Sequence, residues 1–302
     1  MSTSSLPLAD RVAIVTGAAA GLGRAEAVAL AERGADVVVT DLGDMTETIA
    51  QIEALGRRAV AVSGDISDWD LSDTLVETAV STFGRLDIVV NNAGITRDGM
   101  LFSMSQKQWD DVLNVHARGH AALGRAAGAY WRELAKSTGG TTYGRIINTA
   151  SEAALTGSAG QPNYAAAKSA IVSLTVAEAR SLGKYGVTAN AIAPRARTAM
   201  TAGVFGESDA EGFDPLDPAC VARFVAYLAS PRAGSVTGRT FVAYGAMVAL
   251  VARPSIEHVF TAGGAAFDDD SLADAIDAYE APAAPTLADE LAALEIAAGL
   301  RS

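Results

Sequence analysis

Short runs of β-branched and other apolar residues alternate with longer alanine-rich segments along most of this chain, and that alternation restricts its fold more than any other feature. Each short run is apolar at nearly every position, which indicates a strand buried on both faces of a sheet. The predicted strands are Val12–Thr16, Asp36–Thr40, Ala59–Val62, Leu86–Val90, Arg145–Thr149, Val187–Ala193 and Thr240–Ala243. Helical patterns lie at Leu22–Arg33, Thr46–Leu55, Trp69–Phe83, Ser105–Ala135, Pro162–Tyr185 and Pro218–Ala229. Right-handed crossovers between such strands predict an α/β fold with a doubly wound parallel sheet of about seven strands.

The composition indicates a soluble protein with a sizeable core. Of the 302 residues, 50% are hydrophobic and 19% are charged, and the formal net charge is −12. An acidic surface argues against nucleic acid or an anionic membrane as the main partner. The longest apolar stretch, Phe241–Ala252, is shorter than the ~20 residues that a membrane-spanning helix needs. We therefore expect a small molecule as the partner, with no nucleic acid and no membrane.

The predicted strands and helices fill residues 1–250, which we expect to form one domain. Residues 251–302 are expected to be a helical C-terminal extension packed on that domain or on its oligomer. The single cysteine, Cys220, permits no intrachain disulfide and favours a reducing compartment. The first ten residues, MSTSSLPLAD, lack the basic region and apolar run of a signal peptide. A cytoplasmic location is the expectation.

The first predicted strand leads through a glycine-rich turn, TGAAAGLG, into the first helix. Glycines at such a turn let the backbone approach a ligand closely, and the helix N-terminus offers free N–H groups to a pyrophosphate. The turn therefore predicts a dinucleotide site. Its predicted contact residues are Thr16, Gly17, Gly21, Leu22 and Gly23.

Asp41 ends the second strand, 18 residues after Gly23. From that position a carboxylate can hydrogen-bond the adenosine ribose hydroxyls, and it would repel a 2′-phosphate. The expected cofactor is therefore NAD, with NADP disfavoured. The alternatives are a turn or cap role for Asp41 and a phosphate contact by Arg24.

The motifs that follow resemble, in their order, those of the short-chain dehydrogenase/reductase superfamily as far as about Gly245. NNAG at 91–94 follows the fourth strand, Ser151 lies thirteen residues before Tyr164, and Tyr164 lies four before Lys168. The resemblance implies a Rossmann-type NAD(P)-dependent enzyme that interconverts a secondary alcohol and a ketone by hydride transfer. The catalytic residues that it implies are Asn114, Ser151, Tyr164 and Lys168. The further cofactor contacts that it implies are Asp65, Ile66, Asn92, Ala93, Gly94, Tyr164, Lys168, Pro194 and Thr198.

The chemistry of the implied catalytic set agrees with this reading. Tyr164 and Lys168 share one face of a helix, and an ammonium group can lower the tyrosine pKa from about 10 towards neutrality. Ser151 would hydrogen-bond the substrate oxygen, and Asn114 would hold a water that links Lys168 to solvent. Taken without the rest of the set, the pair could equally be a packed tyrosine and a solvated lysine.

In several short segments the sequence more closely resembles the 3-hydroxyacyl-CoA dehydrogenase branch of the superfamily. This branch includes peroxisomal multifunctional enzymes and actinobacterial steroid-catabolism proteins. The segments that carry this resemblance are GLGR at 21–24, TDLG at 40–43, ITRDGML at 95–101, YGRII at 143–147 and IAPRARTAMT at 192–201. It implies a 3-hydroxyacyl-CoA or steroid-derived substrate and a homo-oligomer, a dimer or tetramer. In one departure, Arg195 follows Pro194 where many members of the superfamily have glycine.

Two other functions remain open at the level of sequence. One is an NADPH-dependent 3-oxoacyl-carrier-protein reductase, against which Asp41 argues. The other is a non-catalytic dinucleotide-binding regulator, against which the full catalytic set argues. His116 and His120 have metal-ligand spacing, but no third ligand accompanies them in sequence, so a structural role and no metal are expected.

Overall fold

The computed structural model describes residues 6–201, 212–262, 266–279 and 287–297. Within them the chain forms an eight-stranded sheet in the order β3-β2-β1-β4-β5-β6-β7-β8. Neighbouring strands from β3 to β7 pair in parallel, and β8 pairs antiparallel with β7. The strands are β1 (Val12–Thr16), β2 (Asp36–Asp41), β3 (Ala59–Ser63), β4 (Ile88–Asn91), β5 (Gly144–Thr149), β6 (Val187–Pro194), β7 (Arg239–Tyr244) and β8 (Met247–Leu250).

The doubly wound parallel sheet predicted from the sequence is confirmed, and one strand was missed. The sequence places the last strand at 240–243 within a single apolar stretch. In the structure that stretch turns back at Gly245, whose φ is +53°, and Tyr244 pairs with Met247 across a two-residue turn. A positive φ at a two-residue loop is the geometry of a tight hairpin. The eighth strand is therefore an antiparallel hairpin partner at the sheet edge.

The bounds of the helices differ from the predicted ones mainly at one place. They are α1 (Gly21–Glu32), α2 (Thr46–Ala54), α3 (Leu71–Phe83), α4 (Gln106–Leu113), α5 (Gly119–Thr138), α6 (Ala153–Thr156), α7 (Pro162–Leu182), α8 (Pro218–Leu228), α9 (Asp269–Asp277) and α10 (Leu287–Ala297). The sequence predicts one continuous helix over 105–135, whereas a π-helical turn at Asn114–Arg118 separates α4 from α5. Single π turns inside helices are frequent at functional sites.

The core lies on both faces of the sheet, which explains why the strands are apolar at most positions. On β1, Ala13 and Val15 belong to a cluster with residues of α1 and α8, such as Leu30. Val12 and Ile14 point the other way and pack with residues of α3 and α5. Full burial of such a side chain contributes roughly 1.5–3 kcal/mol. The two clusters thus fix the sheet, and with it the strand ends that carry the site.

The chain divides into two compact units, Met1–Val251 and Ala252–Ser302. The first contains the sheet and α1 to α8, and the second contains α9 and α10. How the C-terminal extension packs stays a prediction. In the part of the chain that the structure describes, no helix is both long enough and apolar enough to cross a bilayer.

One buried carboxyl group leads to a prediction about how stability depends on pH. Glu26 on α1 has no exposed surface, and neither of its carboxylate oxygens has a hydrogen-bond partner among the described residues. Burial raises its pKa from 4.5 to about 8. The folded protein therefore keeps a proton that the unfolded chain releases, so stability falls as the pH rises from about 4.5 towards 8.

We expect Glu26 to lower the free energy of unfolding by about 1.4 kcal/mol per pH unit between about pH 5 and 7. Glu26→Gln removes this contribution. When the free energy of unfolding is measured with urea at a series of pH values, it should therefore fall less steeply with pH in the variant than in the wild type. Burial also raises the pKa of Glu178 to about 8. Glu178 therefore contributes to the pH dependence of stability equally in both proteins, so the difference between the wild type and Glu26→Gln isolates the contribution of Glu26. The exposed Glu77→Gln on α3 is the matched control. An unchanged slope in Glu26→Gln would contradict the assignment.

Candidate active site

A cavity of about 350 Å³ opens at the carboxyl ends of the parallel strands. Thr16, Asp41, Thr149 and Pro194, the last residues of four strands, all line it. It spans β1 and β4, which are neighbours in the sheet although two strands separate them along the chain. Ligands of doubly wound sheets bind at such a switch point.

The glycine-rich turn forms one wall of this cavity. Gly17 and Gly21 line it with φ values of +67° and +55°, a region that favours glycine. A Cβ on Gly17 would lie 2.8 Å from the Ala93 Cα. The N-cap of α1 is Ala20, whose methyl group cannot accept a hydrogen bond, so the N–H groups of the first turn stay available to a ligand. The turn is thus shaped to receive an anion at the helix N-terminus.

Gly23 has a different place from the other two glycines. It does not line the cavity, and a Cβ added to it would lie 2.1 Å from the Gly17 carbonyl oxygen and 2.5 Å from Asn92 Nδ2. Its missing side chain allows α1 to pack against the turn. Gly23 is therefore a packing residue of the turn in this geometry.

Hydrogen bonds tie the loop after β4 to the same turn. Thr16 Oγ1 accepts the backbone N–H groups of Asn92 and Ala93, each at 3.0 Å. Asn92 Nδ2 donates to the Thr16 carbonyl at 3.0 Å. The loop and the turn therefore hold one another as two sides of the cavity.

Asp41 and Arg24 both form polar contacts with the glycine-rich turn. Asp41 accepts the N–H of Ala19 and the N–H of Gly43, each at 2.9 Å, and its side chain lines the cavity. Arg24 donates to the Ala19 carbonyl and forms an ion pair with Glu47 at 2.6 Å. Arg24 does not line the cavity. Asp41 thus borders the ligand space, and the Arg24 guanidinium is held by protein groups.

Ser151, Tyr164 and Lys168 also line this cavity. Lys168 is 2% exposed, and its Nζ donates to the Thr149 carbonyl and lies 5.4 Å from the centre of the Tyr164 ring. Ser151 shares a hydrogen bond with the Tyr164 side chain, and its Oγ also accepts the Ala153 N–H at 3.2 Å. The serine therefore both bonds the first N–H of α6 and lies beside the phenol.

The start of α7 is fixed by Asn163, which orients Tyr164. Asn163 Nδ2 donates to the carbonyls of Arg97 and Gln108 at 3.0 and 2.9 Å, and its Oδ1 accepts the Tyr164 N–H at 2.8 Å. These bonds join α7 to α4 and to the loop after β4. The backbone at Tyr164 is thus held in place by contacts of its neighbour Asn163 with two other elements.

The electrostatics differ from what the sequence suggests. Burial raises the pKa of Tyr164 above its usual 10, and the hydrogen bond with Ser151 opposes this. Burial lowers the pKa of Lys168 from 10.5 to about 7. The ammonium lies over the ring, and desolvation disfavours the charged form of both groups. In the protein alone, burial is therefore the main influence on the Tyr164 pKa, where the sequence had suggested a lowering by the lysine charge.

The structure does not bring Asn114 into the site. Its side chain is exposed at the start of the π-helical turn and is not part of the cavity wall. His116, two residues later, is 1% exposed and lines the cavity. Asn114 was implied by the match of its segment to the family's catalytic motif, whereas the π turn that begins at Asn114 places His116 in the cavity wall. His116, read as structural from the sequence, takes that place.

An ion pair beside the site is a second feature that sequence reasoning missed. Arg195 Nε and Nη2 donate to the Glu152 carboxylate at 2.8–3.1 Å. The pair joins the segment after Ser151 to the loop after Pro194. The signal was present as the departure from glycine after Pro194, but a partner for Arg195 cannot be identified from the sequence because it lies 43 residues away.

The remaining predicted cofactor residues are also placed in the cavity wall. They are Leu22, Asp65, Ile66, Asn92, Ala93, Gly94 and Thr198. Of all the predicted cofactor contacts, Gly23 alone is outside the wall, and among the predicted catalytic residues Asn114 is.

Comparisons with known proteins give a consistent result. Residues 11–208 match the sequence profile of the short chain dehydrogenase family. The chain is 52% identical over 282 residues to the Mycobacterium tuberculosis hydroxyacyl-CoA dehydrogenase ChsB1, which covers 90% of this chain and 89% of that protein. It is 42% identical over 205 residues to the Neurospora crassa peroxisomal hydratase-dehydrogenase-epimerase, which covers 68% of this chain and 22% of that longer protein. A crystal structure of a short chain dehydrogenase from Mycobacterium avium matches with a TM-score of 0.82 and 42% identity, over 93% of this chain and 98% of that one.

Proposed function

This chain belongs to the short-chain dehydrogenase family, and from that premise we propose that it is an NAD-dependent dehydrogenase that oxidises the 3-hydroxyl group of a 3-hydroxyacyl-CoA. The observation that carries the proposal is the meeting of Ser151, Tyr164 and Lys168 in one cavity with the glycine-rich turn. The enzyme class follows from the family. The substrate class is supported by the 52% identity to a hydroxyacyl-CoA dehydrogenase along nearly the full length of both chains.

The family implies a nicotinamide dinucleotide, and the cavity has the features that such a ligand needs. Gly17 leaves space where a side chain would meet Ala93, and the uncapped first turn of α1 offers N–H groups to a pyrophosphate. Thr16, Gly21 and Leu22 would hold this part of the cofactor. When bound, the cofactor supplies the acceptor for the hydride that leaves the carbinol carbon.

The protein's own part in the reaction is to position the substrate and move one proton. Ser151 would donate a hydrogen bond to the substrate oxygen and fix it beside the Tyr164 hydroxyl. The Tyr164 phenolate would take the hydroxyl proton as the carbon gives up its hydride, so that the carbinol becomes a ketone. Lys168, close to the Tyr164 ring, would stabilise the phenolate when it carries its charge.

The choice of NAD over NADP rests on Asp41 and Arg24. The Asp41 carboxylate is directed to the ligand space by two backbone N–H groups, where it would accept hydrogen bonds from a ribose and repel a 2′-phosphate. Arg24, the cation that could have met such a phosphate, is bound to Glu47 and to the Ala19 carbonyl. Both observations favour NAD.

We expect Asp41→Ser to raise kcat/KM for NADP relative to NAD by about 10- to 100-fold, because about 1.5–3 kcal/mol is typical of one hydrogen bond to a charged group. Steady-state kinetics with each cofactor at saturating substrate would measure the ratio. Asp44→Asn is the matched control, since it removes an exposed charge from the same loop without lining the cavity. An equal change in both variants would assign the preference to net charge and not to Asp41.

The proposed activity is tested by following NADH formation with a panel of secondary alcohols. The panel should contain 3-hydroxyacyl-CoA thioesters of different chain length, a steroid side-chain thioester, free hydroxysteroids and 3-hydroxyacyl-carrier protein. We expect the CoA thioesters to have the highest kcat/KM. A preference for carrier-protein substrates together with NADP would instead support a 3-oxoacyl-carrier-protein reductase, and cofactor binding without turnover would support a regulator.

Three further expectations stay predictions. Within the substrate class, a steroid-derived acyl group is favoured by the resemblance to steroid-catabolism proteins. A homo-oligomer, dimer or tetramer, is expected from the same resemblance, and a cytoplasmic location from the single cysteine. Light scattering and cell fractionation would test the last two.

A further inference from the structure

His116 lies between two parts of the site that must keep a fixed distance during the reaction. Its ring packs perpendicular to the ring of Tyr164, with ring centres 5.2 Å apart and planes at 89°. Its Nε2 lies 2.8 Å from the Ile95 carbonyl oxygen and 3.0 Å from the Ile95 backbone nitrogen. One side of the imidazole thus contacts the phenol, and the other is bonded to the loop that follows Gly94.

The surroundings of His116 are adapted to this ring. A Cβ on Gly94 would lie 2.4 Å from His116 Cε1, so the glycine leaves the space that the imidazole fills. The residue is 1% exposed, and its Nδ1 is buried without a hydrogen-bond partner among the described residues. An unpaired buried nitrogen costs stability, roughly 1–3 kcal/mol. A purely structural role would be filled at lower cost by an apolar ring.

We propose that His116 is the fourth functional residue of this site, a positioning residue that holds the Tyr164 ring and the Ile95 peptide at a fixed separation. Asn114 then has no part in the reaction. The proposal rests on the proposed dehydrogenase function, since it assigns a role in that reaction. It adds a residue that the catalytic set inferred from the sequence does not contain.

The protonation state agrees with a positioning role. Burial lowers the pKa of His116 well below its usual 6.5, and the charge of Lys168 lowers it further. The imidazole is therefore neutral at physiological pH and adds no second positive charge next to the lysine. In either neutral tautomer Nε2 bonds the Ile95 peptide, as a donor to its carbonyl or as an acceptor of its N–H.

The experiment separates the two contacts of the ring. His116→Phe keeps a ring beside Tyr164 and loses the bond to Ile95, His116→Gln keeps a polar group near Ile95 and loses the ring, and His116→Ala loses both. We expect kcat to fall about 100-fold in His116→Ala, because small misplacements of reacting groups have effects of that order. We expect a smaller loss, about 10-fold, in each of the other two. Cofactor Kd, measured by NADH fluorescence, should change less than about threefold in all.

Two further variants on the same turn complete the comparison. Arg118→Ala is the matched control, because Arg118 is exposed and contacts the ring of Trp69. Asn114→Ala is the competing arm. A large loss of kcat in Asn114→Ala with activity retained in His116→Ala would overturn the proposal. The proposal would also be overturned if kcat fell equally in all three His116 variants and the loss followed a drop in Tm. That result would show a purely structural role.

A second readout does not depend on turnover. The alkaline absorbance difference between a protein and its Tyr164→Phe form reports the titration of the Tyr164 phenol. We expect His116→Ala to lower that pKa towards 10, because water would fill the vacated space and reduce the burial that raises it. His116→Phe should leave it unchanged. No shift in His116→Ala would contradict the proposal even if the substrate class proved wrong, whereas absence of wild-type turnover alone would contradict only the proposed function.

Discussion

Replacing Tyr164 with phenylalanine should lower kcat by about 10³-fold, since a positioned acid or base typically contributes 10²–10⁴-fold. The substitution removes one oxygen from a ring that packs against His116 and lies beneath Lys168. The ring and its packing stay, so the fold and the cofactor site should be unchanged. The loss should therefore appear in kcat and not in cofactor Kd.

The measurement is NADH formation under single-turnover conditions, with NADH binding by fluorescence and Tm by calorimetry as companions. Tyr185→Phe is a suitable control, because it is the same substitution at a tyrosine outside the cavity wall. If Tyr164→Phe kept more than about a tenth of wild-type kcat, a group other than this phenol would have to transfer the proton.

Introducing a methyl group at Gly23 should weaken cofactor binding by about 10- to 100-fold, because overpacking against fixed atoms costs roughly 1–3 kcal/mol. The new Cβ would lie 2.1 Å from the Gly17 carbonyl oxygen and 2.5 Å from Asn92 Nδ2. The first atom is backbone, and the second is a side-chain nitrogen held by its hydrogen bond to the Thr16 carbonyl. The turn must therefore open, and the N–H groups that face the pyrophosphate would move with it.

The binding constant should be measured directly, by NADH fluorescence or calorimetry, together with Tm. Gly140→Ala is the matched control, since a Cβ there meets no atom within 4 Å. The diagnostic result is a large rise in Kd with a folded protein. A Gly23→Ala protein that binds NADH as tightly as the wild type would show that the turn adapts, and the packing role assigned to Gly23 would be wrong.

The fold was predictable because its signals are local and repeat along the chain. Strands such as Val12–Thr16 and Val187–Pro194 are apolar at almost every position, a pattern imposed by helices on both faces of the sheet. The hairpin strand Met247–Leu250 was not predictable in the same way. Its side chains alternate between half-buried and exposed, and its apolar composition merges with that of the preceding strand.

The site was predictable where one strand end or one helical turn places the residue. The glycine-rich turn, Asp41 and the pair of Tyr164 and Lys168 all follow such local rules, and the structure brings them to one cavity. His116 was not predictable, because its inward position depends on the π turn at Asn114–Arg118. The effect of burial on Lys168 was equally hidden, since desolvation depends on the whole packed structure.

The central claim is that this protein moves a hydride from C3 of a 3-hydroxyacyl-CoA to NAD while Tyr164 takes the proton. The most direct measurement uses a 3-hydroxyacyl-CoA that carries deuterium at C3, with mass spectrometry of the NADH formed. We expect the deuterium in the NADH, one atom per turnover, and a slower hydride-transfer step than with the unlabelled substrate. Deuterium that appears in solvent, or NADH that forms without it, would contradict the claim.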